Sequence, residues 1–472
     1  VMTCVLGMIV NREREIRSFT KTPFYRVIGN FKLQEKPFTA EWRAVEGSKY
    51  YNSPVLYKEN GFKKKEDAER LIGELSAVIG IEKKKENKNA PLLYNLAELQ
   101  NDCSKYFKIS PDETLRIVQE LYEKKMTTYP RTDARVLSTA VAKEIHKNIG
   151  GLRNYALAAP FAKEVLEQGT YKNIAKTRYV NDKQITDHYA IIPTGQGLNN
   201  LAGLAPTAAK VYEVIVRRFL SIFYPPAVYQ KFSLTLQVKE ESFFASFKVL
   251  IQEGYLKVTD FSFKKENTAP KEDKENENES ADEKCDAELT NLLTHLKKGD
   301  TLSVDTYEIK EGETSPPKRY TSGSIILTME NAGQFIEDEE LRAQIKGSGI
   351  GTSATRAEIL KKLVNIEYLA LNKKTQVLTP TQMGEMIYDV VSDSIRPLLN
   401  PALTASWEKG LTMVADGVIT PDEYMGKLTD FVGRRTVAVR GLNNQGMLWR
   451  QFQATEEFYQ KKQKQSNAKN KE

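Results

Sequence analysis

Two blocks of β-type alternation, far apart in the chain and separated by a long helical stretch, constrain this sequence more than any other feature. The first runs from about residue 11 to 62. Tyr25, Val27, Phe31 and Leu33 fall at odd positions, then Phe38, Ala40, Trp42 and Ala44 at even ones. The second opens at Phe232, Leu234, Leu236 and Val238, with a partner strand at Ala245, Phe247 and Val249 across the turn Lys239-Glu240-Glu241-Ser242. Strand-like sequence resumes from Thr301 to Ile309. Between the blocks, residues 91 to about 222 read as helical, and Pro225 and Pro226 stop that stretch. A second helical block runs from Ser324 to about Val432, interrupted by a strand pair from Tyr368 to Leu378 with Asn372 and Lys373 in its turn. The order β, helical, β, helical predicts an α+β multidomain protein in which one discontinuous β domain carries a helical domain.

The 472 residues fit about three domains. Lys plus Arg total 69 against 62 Asp plus Glu, a net charge of +7 that leans only mildly toward polyanions. No apolar run reaches the ~20 residues of a membrane-spanning helix, so no membrane partner is expected. Cys4, Cys103 and Cys285 stand singly and fit a reducing compartment, here the cytoplasm. His146, His188 and His295 are the only histidines, too few and too scattered for a His-rich metal centre. Val1 to Val10 reads as the middle of an element, which suggests a longer protein truncated at that point. Residues 264–284 are Lys, Glu, Asn and Asp with almost nothing to bury, and predict a disordered insertion. After Arg434 the chain reads as a polar, basic tail.

The chemistry is concentrated in Thr127-Thr128-Tyr129-Pro130-Arg131-Thr132-Asp133-Ala134-Arg135-Val136-Leu137-Ser138. It follows a well-signalled helix: Ser110 can cap, Pro111 suits the first turn, and Glu113 completes a capping box. Pro130 disfavours α geometry at Tyr129, so Tyr129 leaves the helix extended. In an extended chain Arg131 would lie on the same side as the phenol. A tyrosine hydroxyl is a weak nucleophile at neutral pH, whereas a neighbouring guanidinium favours the phenolate and neutralises a phosphodiester. Thr132 or Asp133 can cap the next helix, which ends at Gly150-Gly151. Further on, Gly349 and Gly351 permit close backbone approach, and Thr352 can cap a helix through Ile359, Leu360 and Leu363. That helix N-terminus would offer amides to a phosphate, with Thr355 and Arg356 beside them. A simple turn and cap would need the same residues. His188 alone reads equally as a structural histidine, and Asp133 as a cap.

The Tyr129 string resembles the active-site motif of type IA DNA topoisomerases. Further segments resemble that family in the same order. They are Asn11-Arg12-Glu13-Arg14-Glu15-Ile16, Asn95-Leu96-Ala97-Glu98-Leu99-Gln100, Asp187-His188-Tyr189-Ala190-Ile191-Ile192-Pro193-Thr194 and Gly349-Ile350-Gly351-Thr352-Ser353-Ala354-Thr355-Arg356-Ala357, with Leu403-Thr404-Ala405-Ser406-Trp407-Glu408 near the end. The likeness runs to about residue 435 and is greatest to the topoisomerase III branch. The chain departs from the family pattern at Met2, Cys4, Tyr189 and Ser353.

The resemblance implies a toroidal topoisomerase core. Its parts would be a helical DNA-groove start at 1–17, a β arch at 18–90 and 223–320, a helical active-site domain at 91–222, a winged-helix-like groove domain at 321–435, and a basic tail at 436–472. It implies that Tyr129 is the nucleophile that joins a 5′ phosphate, that Arg131 stabilises the scissile phosphate, and that Asp133 and His188 support the site. Thr132, Gly349, Gly351, Thr352, Thr355 and Arg356 would bind DNA. Mg2+ is expected in a preceding Toprim domain and at no site in this chain. The implied partners are single-stranded and negatively supercoiled DNA, with nucleoid association in a bacterium. Without the Toprim residues, the chain alone is expected to bind single strands without relaxing supercoils. The alternative is a clamp for single-stranded DNA without chemistry. Tyrosine recombinases and rolling-circle nickases need His-x-x-Arg or paired-His patterns, which are absent, and no Gly-rich loop ending in Lys-Ser or Lys-Thr offers an ATP site.

Overall fold

The strand signals resolve into one sheet. The computed structural model describes residues 1–71, 76–185, 187–263, 287–335 and 349–469. Eight strands pair in it: β1 (Pro23–Leu33), β2 (Lys36–Arg43), β3 (Leu56–Lys58), β4 (Gly61–Phe62), β5 (Ser76–Lys88), β6 (Ala227–Val238), β7 (Glu241–Gln252) and β8 (Thr301–Glu313). Pairings run from β1 through β2, β7, β6, β5 and β8 back to β1, a closed circuit of antiparallel neighbours, with β4 and β3 attached to β1. Closure leaves none of these six strands with a bare edge along its whole length.

The alternation fixes which face is buried. Val27, Phe31, Leu33, Phe38, Ala40, Trp42, Phe232, Leu234, Leu236, Ala245 and Phe247 all enter one core. Trp42 stacks on Phe62 at 4.8 Å and donates its Nε1–H to Glu241 at 2.7 Å, so its polar edge is satisfied inside the core. The β6–β7 register pairs Leu234 with Ala245 and Val238 with Glu241, so only Lys239 and Glu240 make the turn, two residues rather than four. Lys239 takes φ 54° to do so.

The chain divides into two compact units. One comprises Phe19–Pro91 and Leu220–Pro316 and holds the sheet; the other comprises Val1–Ser18, Leu92–Phe219 and Pro317–Glu472. In the second unit, the helix Met2–Ser18 buries Cys4, Val5, Leu6, Met8, Ile9 and Val10 against Ile325, Ile326, Met329, Leu360, Leu363, Leu369 and Leu378. Residues 11–18 therefore continue a helix rather than a strand. Arg14 and Arg17, three apart and so on one helical face, both reach the fully buried carboxylate of Glu385.

Helices Leu96–Phe107, Pro111–Glu123, Thr139–Gly151, Ala159–Gln168 and Pro206–Ser221 fill the central stretch. Ser110 accepts from the Glu113 amide as expected, but only that half of the box forms. Further on, the helix Arg356–Asn365, the strand pair Leu369–Leu371 and Leu378–Pro380, and the helix Gln382–Ile395 follow one another. The Asn372 carboxamide accepts from the Lys374 and Thr375 amides and shapes the turn. Helices also occupy Pro401–Ala415, Pro421–Arg440 and Gln445–Lys469, so the stretch read as a polar tail is helical. Tyr459 on the last helix donates to Glu385 at 2.9 Å, an aromatic anchor that a charge-dominated reading overlooks. The insertion expected at 264–284 lies outside the described residues. None of the described helices is long and apolar enough to cross a membrane.

Candidate active site

Tyr129 sits on a short extended run pinned between two other segments. After the helix Pro111–Glu123, Lys125 takes φ 59° and turns the chain. Residues 126–136 then run beside 188–194. The Thr128 amide donates to Ile192 O at 3.0 Å, the Thr128 hydroxyl donates to Ala190 O and accepts from the Ile192 amide, and the Ala190 amide donates to Val136 O. Thr132 ties the loop on both sides: its hydroxyl donates to His188 O at 2.8 Å, and its carbonyl accepts from the Leu96 amide at 3.1 Å.

This lacing brings the His188 imidazole onto the Tyr129 ring, centroids 4.4 Å apart and tilted by 43°. Tyr122 closes the other side edge-on at 5.5 Å. Tyr129 is half-buried and His188 exposed. Among the described residues no hydrogen bond engages the Tyr129 hydroxyl, so its oxygen is not committed to the protein.

The sequence places Arg131 beside the phenol; in the structure the ring packed against the phenol is that of His188. The Thr132 amide donates to Pro130 O at 3.0 Å, an i to i+2 bond that makes a γ-turn centred on Arg131. The turn breaks the extended geometry on which the same-side argument rests. Arg131 is exposed at its apex and has no hydrogen-bond or ion-pair partner among the described residues.

Asp133 is held by residues from elsewhere in the chain. Its carboxylate accepts from Arg356 Nη1 at 3.1 Å, and its backbone carbonyl accepts from Asn95 Nδ2 at 3.1 Å. Neither Thr132 nor Asp133 caps the next helix; Ser138 does, accepting from the Val141 amide. Asn95 also donates to Glu330 Oε1 at 2.7 Å, while its own Oδ1 accepts from the Glu98 amide and caps the helix Leu96–Phe107. Arg135 pairs with Glu98 at 2.5 Å and donates to Leu93 O. Burial holds the Glu330 carboxyl above the usual carboxylate range, partly offset by Arg356 and the Asn95 bond.

The glycine segment lies against this cluster. A Cβ on Gly349 would come within 3.0 Å of the Arg356 guanidinium and the Met329 and Glu330 carbonyls, and Gly351 has φ +68°. Thr352 does not cap the helix Arg356–Asn365. Thr355 occupies that position without a side-chain cap, and its hydroxyl accepts from the Thr352 amide instead. Thr352 and Thr355 are hydroxyl-paired at 3.1 Å and exposed, whereas Arg356 is only 5% exposed. The sequence therefore brings Tyr129, His188, Thr132, Asp133, Gly349 and Arg356 into one connected neighbourhood. It gave no notice of Glu330 or Arg135. Asn95 stood out only as the start of a segment resembling the topoisomerase family, neither as a cap nor as a hub.

The described residues do not fit a divalent ion. No three of their His, Cys, Asp or Glu side chains are grouped to hold one, and Glu98, Asp133 and Glu330 are paired with arginines.

Comparison with known proteins supplies the context. A family model described as DNA topoisomerase matches residues 1–426. The chain is 30% identical over 449 residues to DNA topoisomerase 3 of Bacillus licheniformis, covering 94% of this chain and 56% of that protein. It is 32% identical over 423 residues to DNA topoisomerase 3 of Bacillus subtilis, covering 88% and 53%. The chain thus spans about half the length of the curated relatives it matches. In fold it resembles full-length topoisomerase I from Thermotoga maritima, with a TM-score of 0.62 at 22% identity, covering 92% of this chain and 62% of that one.

Proposed function

Because this chain belongs to the type IA DNA topoisomerase family, in its topoisomerase III branch, we propose that Tyr129 is the nucleophile of a reversible single-strand break. The phenolic oxygen attacks a backbone phosphorus; the new Tyr129 Oη–P bond forms as the P–O3′ bond breaks. The phenol gives up one proton and the leaving 3′ oxygen takes one up, so the step is neutral overall. The 5′-phosphotyrosine ester conserves the energy of the broken bond, and attack by the 3′ hydroxyl reseals the strand without ATP. Between these steps another strand passes, which changes the linkage of negatively supercoiled or interlinked DNA.

Arg131, exposed and without an ion-pair partner among the described residues, is the cation available to a scissile phosphate and to its transition-state charge. His188 orients the Tyr129 ring by direct contact. The exposed Thr352 and Thr355 side chains form a second strand contact. The observation that carries this reading is a half-buried tyrosine, in ring contact with both His188 and Tyr122, whose hydroxyl has no hydrogen-bond partner among the described residues and which has an exposed guanidinium two residues on.

The test is covalent trapping. A 3′-labelled single-stranded oligonucleotide and magnesium are added to the chain, with and without the part of the Bacillus subtilis relative that this chain does not span, and the mixture is denatured. A labelled protein band that vanishes in Tyr129→Phe and persists in Tyr122→Phe supports the assignment. A band that survives Tyr129→Phe, or no band in either mixture, overturns it; strand binding without a band would leave a clamp.

A further inference from the structure

Resting on that assignment of Tyr129, we infer that Arg356 is a positioning residue, which locks the Tyr129 loop in place through Asp133 and does not itself contact the DNA strand. Its position in the glycine segment suggests a phosphate ligand, but its surroundings do not. Its side chain is only 5% exposed, and its Nη1 and Nε are both engaged by the protein. Nη1 donates to Asp133 at 3.1 Å and lies 3.8 Å from Glu330, and Nε donates to the Ile350 carbonyl at 3.3 Å. A phosphate at Nη1 or Nε would have to compete with Asp133, Glu330 and the Ile350 carbonyl, and the Glu330 side chain is itself only 18% exposed. A buried cation stripped of its partners is strongly unfavourable.

What Arg356 holds is specific. The Tyr129 loop is anchored at three places: at Thr128 by residues 190–192, at Thr132 by His188 O and the Leu96 amide, and at Asp133. The first two anchors are neutral bonds to backbone. The third joins Asp133 to Arg356 by a charge-assisted bond and to Asn95 through the Asp133 carbonyl. Asn95 and Arg356 in turn share Glu330, so loop, helix start and glycine segment close into one polar ring. Gly349 is required for the ring to close, since any Cβ there would collide with the Arg356 guanidinium and two carbonyls.

Two measurements on the whole chain test this. In hydrogen exchange, Arg356→Lys and Asp133→Asn are expected to raise exchange at the amides of Thr128, Thr132 and Ala134. Lys361→Ala, which breaks the exposed Lys361–Asp112 pair on the same helix, should leave them unchanged. In the trapping assay, both variants should slow adduct formation by about 100-fold at saturating oligonucleotide, as misplacement of a reacting group does, with strand affinity changed less than about 2-fold. The double variant should be no worse than Arg356→Lys alone. Asp133→Asn, on a carboxylate 55% exposed, keeps the test valid if Arg356→Lys does not fold. Unchanged loop exchange in Asp133→Asn, equal loosening in Lys361→Ala, or a 10-fold loss of affinity with an intact loop would each overturn the inference. If no wild-type adduct forms while the loop exchange responds, the Tyr129 chemistry fails and the locking role stands.

Discussion

Tyr129 is half-buried whereas Arg131, two positions on, is exposed, and their substitutions should separate accordingly. Arg131→Ala is expected to lower the rate of adduct formation by about 100-fold, the scale of one preorganised electrostatic contact. Arg131→Lys should recover part of it, because the charge remains while the forked geometry is lost; single-turnover trapping measures both. Glu330 predicts a pH effect. Its folded pKa is raised, mainly by burial, so its neutral form favours the fold. That stability is fully present below the unfolded value of about 4.3 and is lost as pH rises through the folded value. Glu330→Gln should remove this loss, and melting temperatures between pH 4 and 7 will show a flatter profile than the parent chain if so. At this scale the sequence singled out Tyr129 as the candidate nucleophile, because Pro130 and the segment around His188 are local signals. It did not disclose the γ-turn at Arg131, which rests on one i to i+2 hydrogen bond. Glu330 was invisible because its partners Asn95 and Arg356 meet it only through tertiary contacts.

Elements were legible where a periodic pattern met a capping or turn residue. The alternations at Val27–Leu33, Phe38–Trp42 and Phe232–Val238 became strands with the expected buried faces, and Ser110 caps its helix. Misreadings came where local chemistry offered several solutions. Thr132, Asp133 and Ser138 could all cap the helix Thr139–Gly151, and the one adjacent to its first residue does so. Ser138→Ala should therefore cost about 1 kcal/mol in chemical denaturation, whereas Thr352→Ala should leave the helix Arg356–Asn365 unaffected. The turn after Pro193 makes a sharper demand. Gly195 has φ +77°, and a Cβ there would stand 2.5 Å from the Asn148 carbonyl and 3.1 Å from Gly151 Cα. Gly195→Ala is expected to destabilise by more than about 1 kcal/mol and to loosen the segment that carries His188, read out as faster exchange at Ile192 and Thr194. Residues 11–18 and the C-terminal helices show the opposite limit. Charged stretches carry little apolar period, so their helices rest on contacts such as Arg17 with Glu385 and Tyr459 with Glu385 that only the folded chain reveals.

The two compact units have separate cores, one around Trp42, Phe31 and Phe247 and the other around Leu6, Ile9 and Ile326. Calorimetry should resolve two transitions. Trp42→Ala, which removes a fully buried ring, should lower one by about 3–5 kcal/mol and leave the other in place. The order of blocks along the chain was readable from sequence, but the closed pairing of β1 with β8 was not, because alternation names a strand without naming its neighbour. That pairing has a consequence during synthesis. Pro23 meets Glu313, so the first strands leave the ribosome long before their partners are translated, and the whole insert must be made in between. The hairpin of β1 and β2 waits with open edges and aromatic side chains uncovered, a period in which chaperone capture competes with clumping of nascent chains. Pausing translation shortly after residue 316 should therefore yield a protease-resistant barrel, and pausing before residue 300 should not.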